Sequence, residues 1–195
     1  MDTNAIINSY NVELSGQRVI GWIKQLRDIV IPISVKDELN RCSLDGRIKN
    51  EIFSKYVYQT IEKAHFKECR EWMEKWFNIN NKIEICKKLS DADKDCVALA
   101  LFKAINTRNL VILSTDELNL KEELNKFLID QNAGLLLTTP EMIVYFYSLY
   151  RPISRDNVIR AFQMFRDIGY SNEHFKKYLE KKCRFMFECS QGCLV

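Results

Sequence analysis

Apolar and polar positions alternate along the chain so as to set short apolar runs between amphipathic segments. Three runs, residues 29–33, 109–114 and 135–137, have the continuous apolar character of buried parallel strands. Pro32 cannot donate to a ladder and belongs near the end of the first run. Residues 15–28 place Val19, Ile20, Trp22, Ile23 and Leu26 at mainly helical spacing, with Ser15 as the expected N-cap. Ser34 is placed to cap a helix over 35–41.

Residues 45–78 read as helix almost throughout, with Trp72/Trp76 and Met73/Phe77 as i,i+4 pairs that fill a core. Residues 82–89 alternate Ile83, Glu84 and Ile85 and predict an extended connection. Ser90 then opens a helix that is apolar nearly all round after Asp95, as a buried helix must be. A further helix, 120–130, ends at Asn132-Ala133-Gly134 and leads into 135–137. Strand, helix and strand with a short turn make a βαβ unit, so the expected class is α/β with a parallel sheet. Pro140 suits the first turn of the next helix, which continues over 142–150.

The last part of the chain changes character. Residues 154–168 set Val158, Ala161, Phe162, Phe165 and Ile168 on one face, and Ser171 caps a helix with Lys176, Lys177, Lys181 and Lys182 outward. Residues 151–195 hold nine Lys and Arg against five Asp and Glu, while 1–150 hold twenty against twenty-one. The expected organisation is therefore a domain over 1–150 and a basic helical extension over 151–195. A basic flank suits a phosphodiester ligand, and a solvated helix surface is its plain alternative.

With 195 residues, 47% of them hydrophobic, one sizeable core is expected. No apolar leader or membrane-length run is present, which points to a cytoplasmic protein with no membrane association. Seven cysteines, mostly scattered, fit reduced thiols better than a disulfide framework. Cys183, Cys189 and Cys193 cluster without a fourth zinc ligand at suitable spacing, and His65 and His174 stand alone.

Acidic residues carry the candidate chemistry. Asp91, Asp93 and Asp95 open the buried helix, Asp116 and Glu117 follow the strand 109–114, and Glu38 follows the strand 29–33. Ligands of open α/β sheets bind outside the carboxyl ends of strands, where such carboxylates can converge on a hard cation. Asp93 stacks in line with Val97 and Ala100 and is the member expected to point inward, with Asp95 as a supporting neighbour. Acids in a first helical turn also complement the helix dipole, which is the alternative reading of Asp91 and Asp93.

Asp2-Thr3-Asn4 at the start, Glu38-Leu39 after an apolar strand, an acidic helix start running into Val97-Ala98-Leu99-Ala100, and Ser114-Thr115-Asp116 after a buried strand occur in this order. Together with the closing LLLTTPE, that order resembles the PIN-domain nucleases over roughly residues 2–149. The resemblance implies a three-layer α/β/α fold with a central, mostly parallel sheet. It implies Mg²⁺ or Mn²⁺ held by Asp2, Glu38, Asp93 and Asp116, with Thr3, Asn4, Ser114, Asp95 and Glu117 in support. The activity it implies is metal-dependent endoribonuclease cleavage of single-stranded or looped RNA. A toxin role, with an antitoxin protein and a homodimer as partners, belongs to the same reading. A catalytically degenerate interaction module is the other. In that family the first Asp ends a central strand, whereas only Met1 stands before Asp2 in this sequence, so the first strand is expected to be missing.

Overall fold

The computed structural model describes residues 1–26, 28–46, 48–49, 51–116, 121–149 and 153–167. Asp2 caps helix α1 (Thr3–Asn11), its Oδ1 accepting the Ala5 N–H at 2.7 Å. A short hairpin of β1 (Glu13–Leu14) and β2 (Gln17–Arg18) follows, turning at Ser15 and Gly16 with φ of 54° and 75°. Two successive positive φ values are what a tight hairpin needs. Ser15 is therefore a turn residue and not the expected N-cap, and helix α2 (Val19–Leu26) starts only after the hairpin.

Strand β3 (Ile29–Pro32) lies where the apolar run predicts it, and Pro32 ends it. Helix α3 (Ile33–Leu44) follows directly with no side-chain cap, and Ser34 sits inside it instead of before it. The expected helix over 45–78 is interrupted. After α4 (Glu51–Tyr56), residues Val57–Ile61 form β4, parallel to β3, with Ile29 opposite Val57 and Pro32 opposite Ile61. Val57, Tyr58, Thr60 and Ile61 are β-branched or aromatic, and pairing with β3 overrides the weak helical spacing around them.

A 3-10 turn (Lys63–Phe66) leads into α5 (Lys67–Ile79). Trp76 and Phe77 of α5 meet Phe127 with ring centroids 5.2 and 6.0 Å apart, so Met73, Trp76 and Phe77 fill the core as expected, whereas Trp72, expected there too, is exposed. Residues 82–89 depart from expectation as well, forming helix α6 (Ile83–Lys88) and not an extended connection. The buried positions there are Cys86 and Leu89, at helical spacing, and Ile83 of the alternating pair is largely exposed.

Helix α7 (Asp91–Thr107) runs through the core, burying Ala92, Val97, Ala98, Leu99, Ala100, Leu101 and Ala104. β5 (Val111–Ser114), α8 (Lys121–Asp130) and β6 (Gly134–Leu137) make the βαβ unit, with β5 parallel to β6 from Val111 opposite Gly134 to Ser114 opposite Leu137. Gly134 has φ of 154°, and a Cβ there would collide with the Val111 carbonyl, so the close approach that starts this pairing requires glycine. Helix α9 (Thr139–Leu149) follows, and α10 (Arg155–Asp167) packs Val158, Ala161 and Phe165 into the same core. The chain is thus α/β, mostly helical, with short parallel pairs. Residues beyond 167, including the basic helix expected after Ser171 and Cys183, Cys189 and Cys193, lie outside the described residues.

Among the described residues the strands form separate two-stranded sheets, β1 with β2, β3 with β4, and β5 with β6. The chain start lies between the two parallel pairs. The Met1 amino group faces the Val30 carbonyl at 3.5 Å, and the Asp2 N–H donates to the Ser114 carbonyl at 2.9 Å. Cys96 of α7 holds the same segment through its Sγ, 3.5 Å from the Met1 carbonyl. Cys42, Cys69, Cys86 and Cys96 are free thiols. No helix among the described residues is long and apolar enough to cross a membrane.

Candidate functional site

Asp2 and Asp116 come together at the ends of two adjacent extended segments. Asp2 is fixed by its own N–H to Ser114 and by the Ala5 N–H on Oδ1, while its Oδ2 is buried and makes no hydrogen bond among the described residues. Burial, followed by the charge of Asp116, pushes the Asp2 carboxyl up from 3.8 to about 7, against the pull of Thr115, the Ala5 N–H and the amino terminus.

Asp116 follows β5 and is buried as well. Its Oδ2 accepts from Asn8 Nδ2 at 2.5 Å and from Thr139 Oγ1 at 2.8 Å, and its Oδ1 accepts the Thr139 N–H at 2.8 Å. Burial raises its pKa, and the Asn8 and Thr139 donors oppose that rise by favouring the ionised form. Glu141 adds a further upward push from one turn into α9. It closes a capping box with Thr138, accepting the Thr138 N–H at 2.8 Å and the Thr138 hydroxyl at 3.0 Å, and pairs with Lys121.

Glu38 reaches this region through Thr3, whose hydroxyl donates to Glu38 Oε2. The order Asp2-Thr3 thus links the α3 carboxylate to the buried pair. Ser114 is buried, and its hydroxyl makes no hydrogen bond among the described residues. Asn4 points to solvent. Glu117 lies outside the described residues.

The acids that open α7 behave differently from their expected roles. Asp93 serves a capping box: its backbone N–H donates to Ser90 Oγ at 3.1 Å, and its Oδ2 accepts the Ser90 N–H at 3.1 Å and the Ser90 hydroxyl at 2.6 Å. Asp93 is therefore a cap residue at the helix start, not the inward-pointing member. Asp95 is the buried one, and Arg70 of α5 pairs with it through Nη1 while holding Asp91 at 2.5 Å through Nη2. Burial pulls the Arg70 guanidinium down, but the two carboxylates outweigh that and raise it above its usual value.

Among the described residues no group of three or more His, Cys, Asp or Glu side chains is gathered to hold one ion. What the fold does assemble is an all-oxygen pair, Asp2 and Asp116, with the buried Asp2 Oδ2 and Ser114 Oγ left unsatisfied. Oxygen donors of this kind suit a hard cation such as Mg²⁺ or Mn²⁺. Three contributors were not among the candidate residues: Asn8, Thr139 and Glu141. Asn8 directly follows the apolar Ala5-Ile6-Ile7 run of α1, and the Thr138-x-x-Glu141 spacing is itself a capping-box signature. No known family matches the chain, and neither does any curated protein or solved structure compared with it.

Proposed function

We propose that this chain is a divalent-metal-dependent endoribonuclease of the PIN type. The observation that carries this reading is the buried Asp2–Asp116 pair, one member with a carboxylate oxygen that makes no hydrogen bond among the described residues. Two buried carboxylates in mutual repulsion are stabilised by a cation between them or by a shared proton, and the first makes a catalytic site. Asp2, Asp116 and, through its neighbour Thr3, Glu38 are the residues that would hold Mg²⁺ or Mn²⁺. The chemistry supplied by such an ion is polarisation of the scissile phosphoryl oxygen and activation of water at neutral pH.

The protein's own part is positioning. Asn8 and Thr139 fix the direction of the Asp116 carboxylate and favour its ionised form against the opposing effect of burial. The Ala5 N–H at the start of α1 takes Asp2 Oδ1 and leaves Oδ2 for a ligand. The central three-layer arrangement is supported by the chain start, which contacts both Val30 and Ser114 and would join β4, β3, residues 1–2, β5 and β6 in one sheet. Strand order then reverses beside residues 1–2, and the crevice at such a reversal is where open α/β sheets bind ligands. The basic residues after 167 would hold the flanking phosphates of a single-stranded or looped RNA. A cytoplasmic toxin with a protein antitoxin belongs to this reading.

A second reading has its own observation. Arg70 occupies Asp95 and Asp93 is committed to its cap, so α7 brings no free carboxylate to the pair. That favours a non-catalytic interaction module with the same fold. Incubating the protein with labelled RNA and Mg²⁺ or Mn²⁺ separates the two. Cleavage abolished by EDTA and by Asp116→Asn supports the nuclease, and persistent inactivity with a stable protein complex in pull-downs supports the module.

A further inference from the structure

Among the described residues three buried side-chain oxygens make no hydrogen bond: Asp2 Oδ2, Ser114 Oγ and Ser34 Oγ. Asp2 and Ser114 belong to the candidate site, whereas nothing so far assigns Ser34. Folded proteins pair nearly all such groups, so an orphaned buried hydroxyl calls for an explanation of its own. Ser34 is the second residue of α3, a helix whose start has no side-chain cap. The N–H groups of that first turn have no intrahelical acceptor. Side chains on a helix lean toward its amino end, so the Ser34 hydroxyl and those N–H groups face one spot. Ser34 and Glu38 are four residues apart and share a face of α3. Glu38 accepts the Thr3 hydroxyl, which turns that face toward the chain start. Asp2, only 4% exposed, is the neighbour of Thr3, and the Met1 amino group on Val30 O sets the same segment alongside β3, whose last residue, Pro32, leads into α3.

We propose that Ser34 and the first turn of α3 hold a phosphoryl oxygen of the substrate, beside the cation that Asp2 and Glu38 would bind. This deepens the nuclease reading and rests on it. The spot presents donors, a hydroxyl and backbone N–H groups, at the positive end of a helix, which suits an oxyanion and disfavours a metal ion placed on Ser34 itself. Asp2 and Glu38 beside it repel a free anion, so the phosphate enters only together with a divalent cation on those carboxylates. The Thr3–Glu38 bond keeps the spot shut in the free protein, and Glu38 opens it by exchanging Thr3 for the cation. A buried hydroxyl held without a partner costs the free protein stability, and the bound oxyanion restores the missing hydrogen bond.

Adenosine 5′-monophosphate is a suitable probe, since it carries a phosphate and no internucleotide bond to cut. Its binding, and that of Mg²⁺ alone, are measured by isothermal titration in the wild-type protein and in Ser34→Ala, and the Tm of each is read without ligand. The wild type is expected to bind the nucleotide only when Mg²⁺ is present. Ser34→Ala should weaken nucleotide binding about tenfold or more, the loss of one hydrogen bond to a charged group, with Mg²⁺ affinity unchanged. Its Tm should be no lower than that of the wild type, because the substitution removes an unpaired hydroxyl. Nucleotide affinity indifferent to Ser34→Ala overturns the proposal, as does nucleotide binding that needs no Mg²⁺. A parallel loss of Mg²⁺ affinity also overturns it, by making Ser34 a metal ligand, and a lowered Tm does so by making the hydroxyl structural. A wild-type protein that binds no Mg²⁺ removes the nuclease reading as well, whereas Mg²⁺ binding with nucleotide affinity unmoved by Ser34→Ala removes the role of Ser34 alone.

Discussion

Asp2 and Asp116 are both buried, and the charge on Asp116 adds to burial in raising the carboxyl pKa of Asp2 to about 7. The folded chain therefore holds a proton on Asp2 over a range where the unfolded chain, at 3.8, has lost it. Stability from this group is fully present below the unfolded value and is lost as pH rises through about 7. The whole effect is on the order of 4 kcal/mol. Urea unfolding without divalent cation should show stability falling between about pH 4 and about pH 8. Asp2→Asn should flatten that slope, and a slope unchanged by the substitution would show that other groups set it.

Arg70 is the counter-charge of a buried carboxylate. Its side chain is 12% exposed and that of Asp95 2%, so Arg70→Ala strands a charge in the interior. The expected cost is about 3 kcal/mol or more in denaturant unfolding. Adding Asp95→Asn to Arg70→Ala should recover a large part of that loss, and simple additivity of the two single changes would deny the coupling.

Asp93 separates a cap from a ligand. Asp93→Ala should cost about 1 kcal/mol of stability, as should Ser90→Ala, and both should leave RNA cleavage at the wild-type rate. Loss of cleavage in a folded Asp93→Ala protein would restore Asp93 to the site.

Gly134→Ala tests the close approach between β5 and β6. The required φ of 154° and the Val111 carbonyl in the way should make this one methyl group cost more than about 1 kcal/mol, read as a lowered Tm.

Elements that bury a continuous apolar run were legible from the residues alone: β3, β5, β6 and the βαβ unit follow from them. β4 was hidden because Val57–Ile61 buries only Ile61 fully, so its pattern carries no clean period of two. Helix α6 was hidden for the opposite reason, its Ile83-Glu84-Ile85 alternation suggesting a period of two although Ile83 is exposed and only Ile85 packs on the core. At the site, Asp116 could be placed by its position past an apolar strand, whereas Asp2 followed only from the family resemblance, because no strand precedes it in the sequence. Which acid of α7 turns inward could not be read, because the choice is made by Arg70, twenty-one residues from Asp91, and by a reciprocal bond with Ser90.

The most direct measurement of the central claim is cleavage of a labelled single-stranded RNA by the purified protein in Mg²⁺ or Mn²⁺, beside Asp116→Asn. The account predicts cleavage that EDTA abolishes and that Asp116→Asn lowers about 100-fold or more while the protein stays folded. Cleavage indifferent to both EDTA and the substitution, or no cleavage by a folded wild-type protein at any divalent concentration, would contradict it.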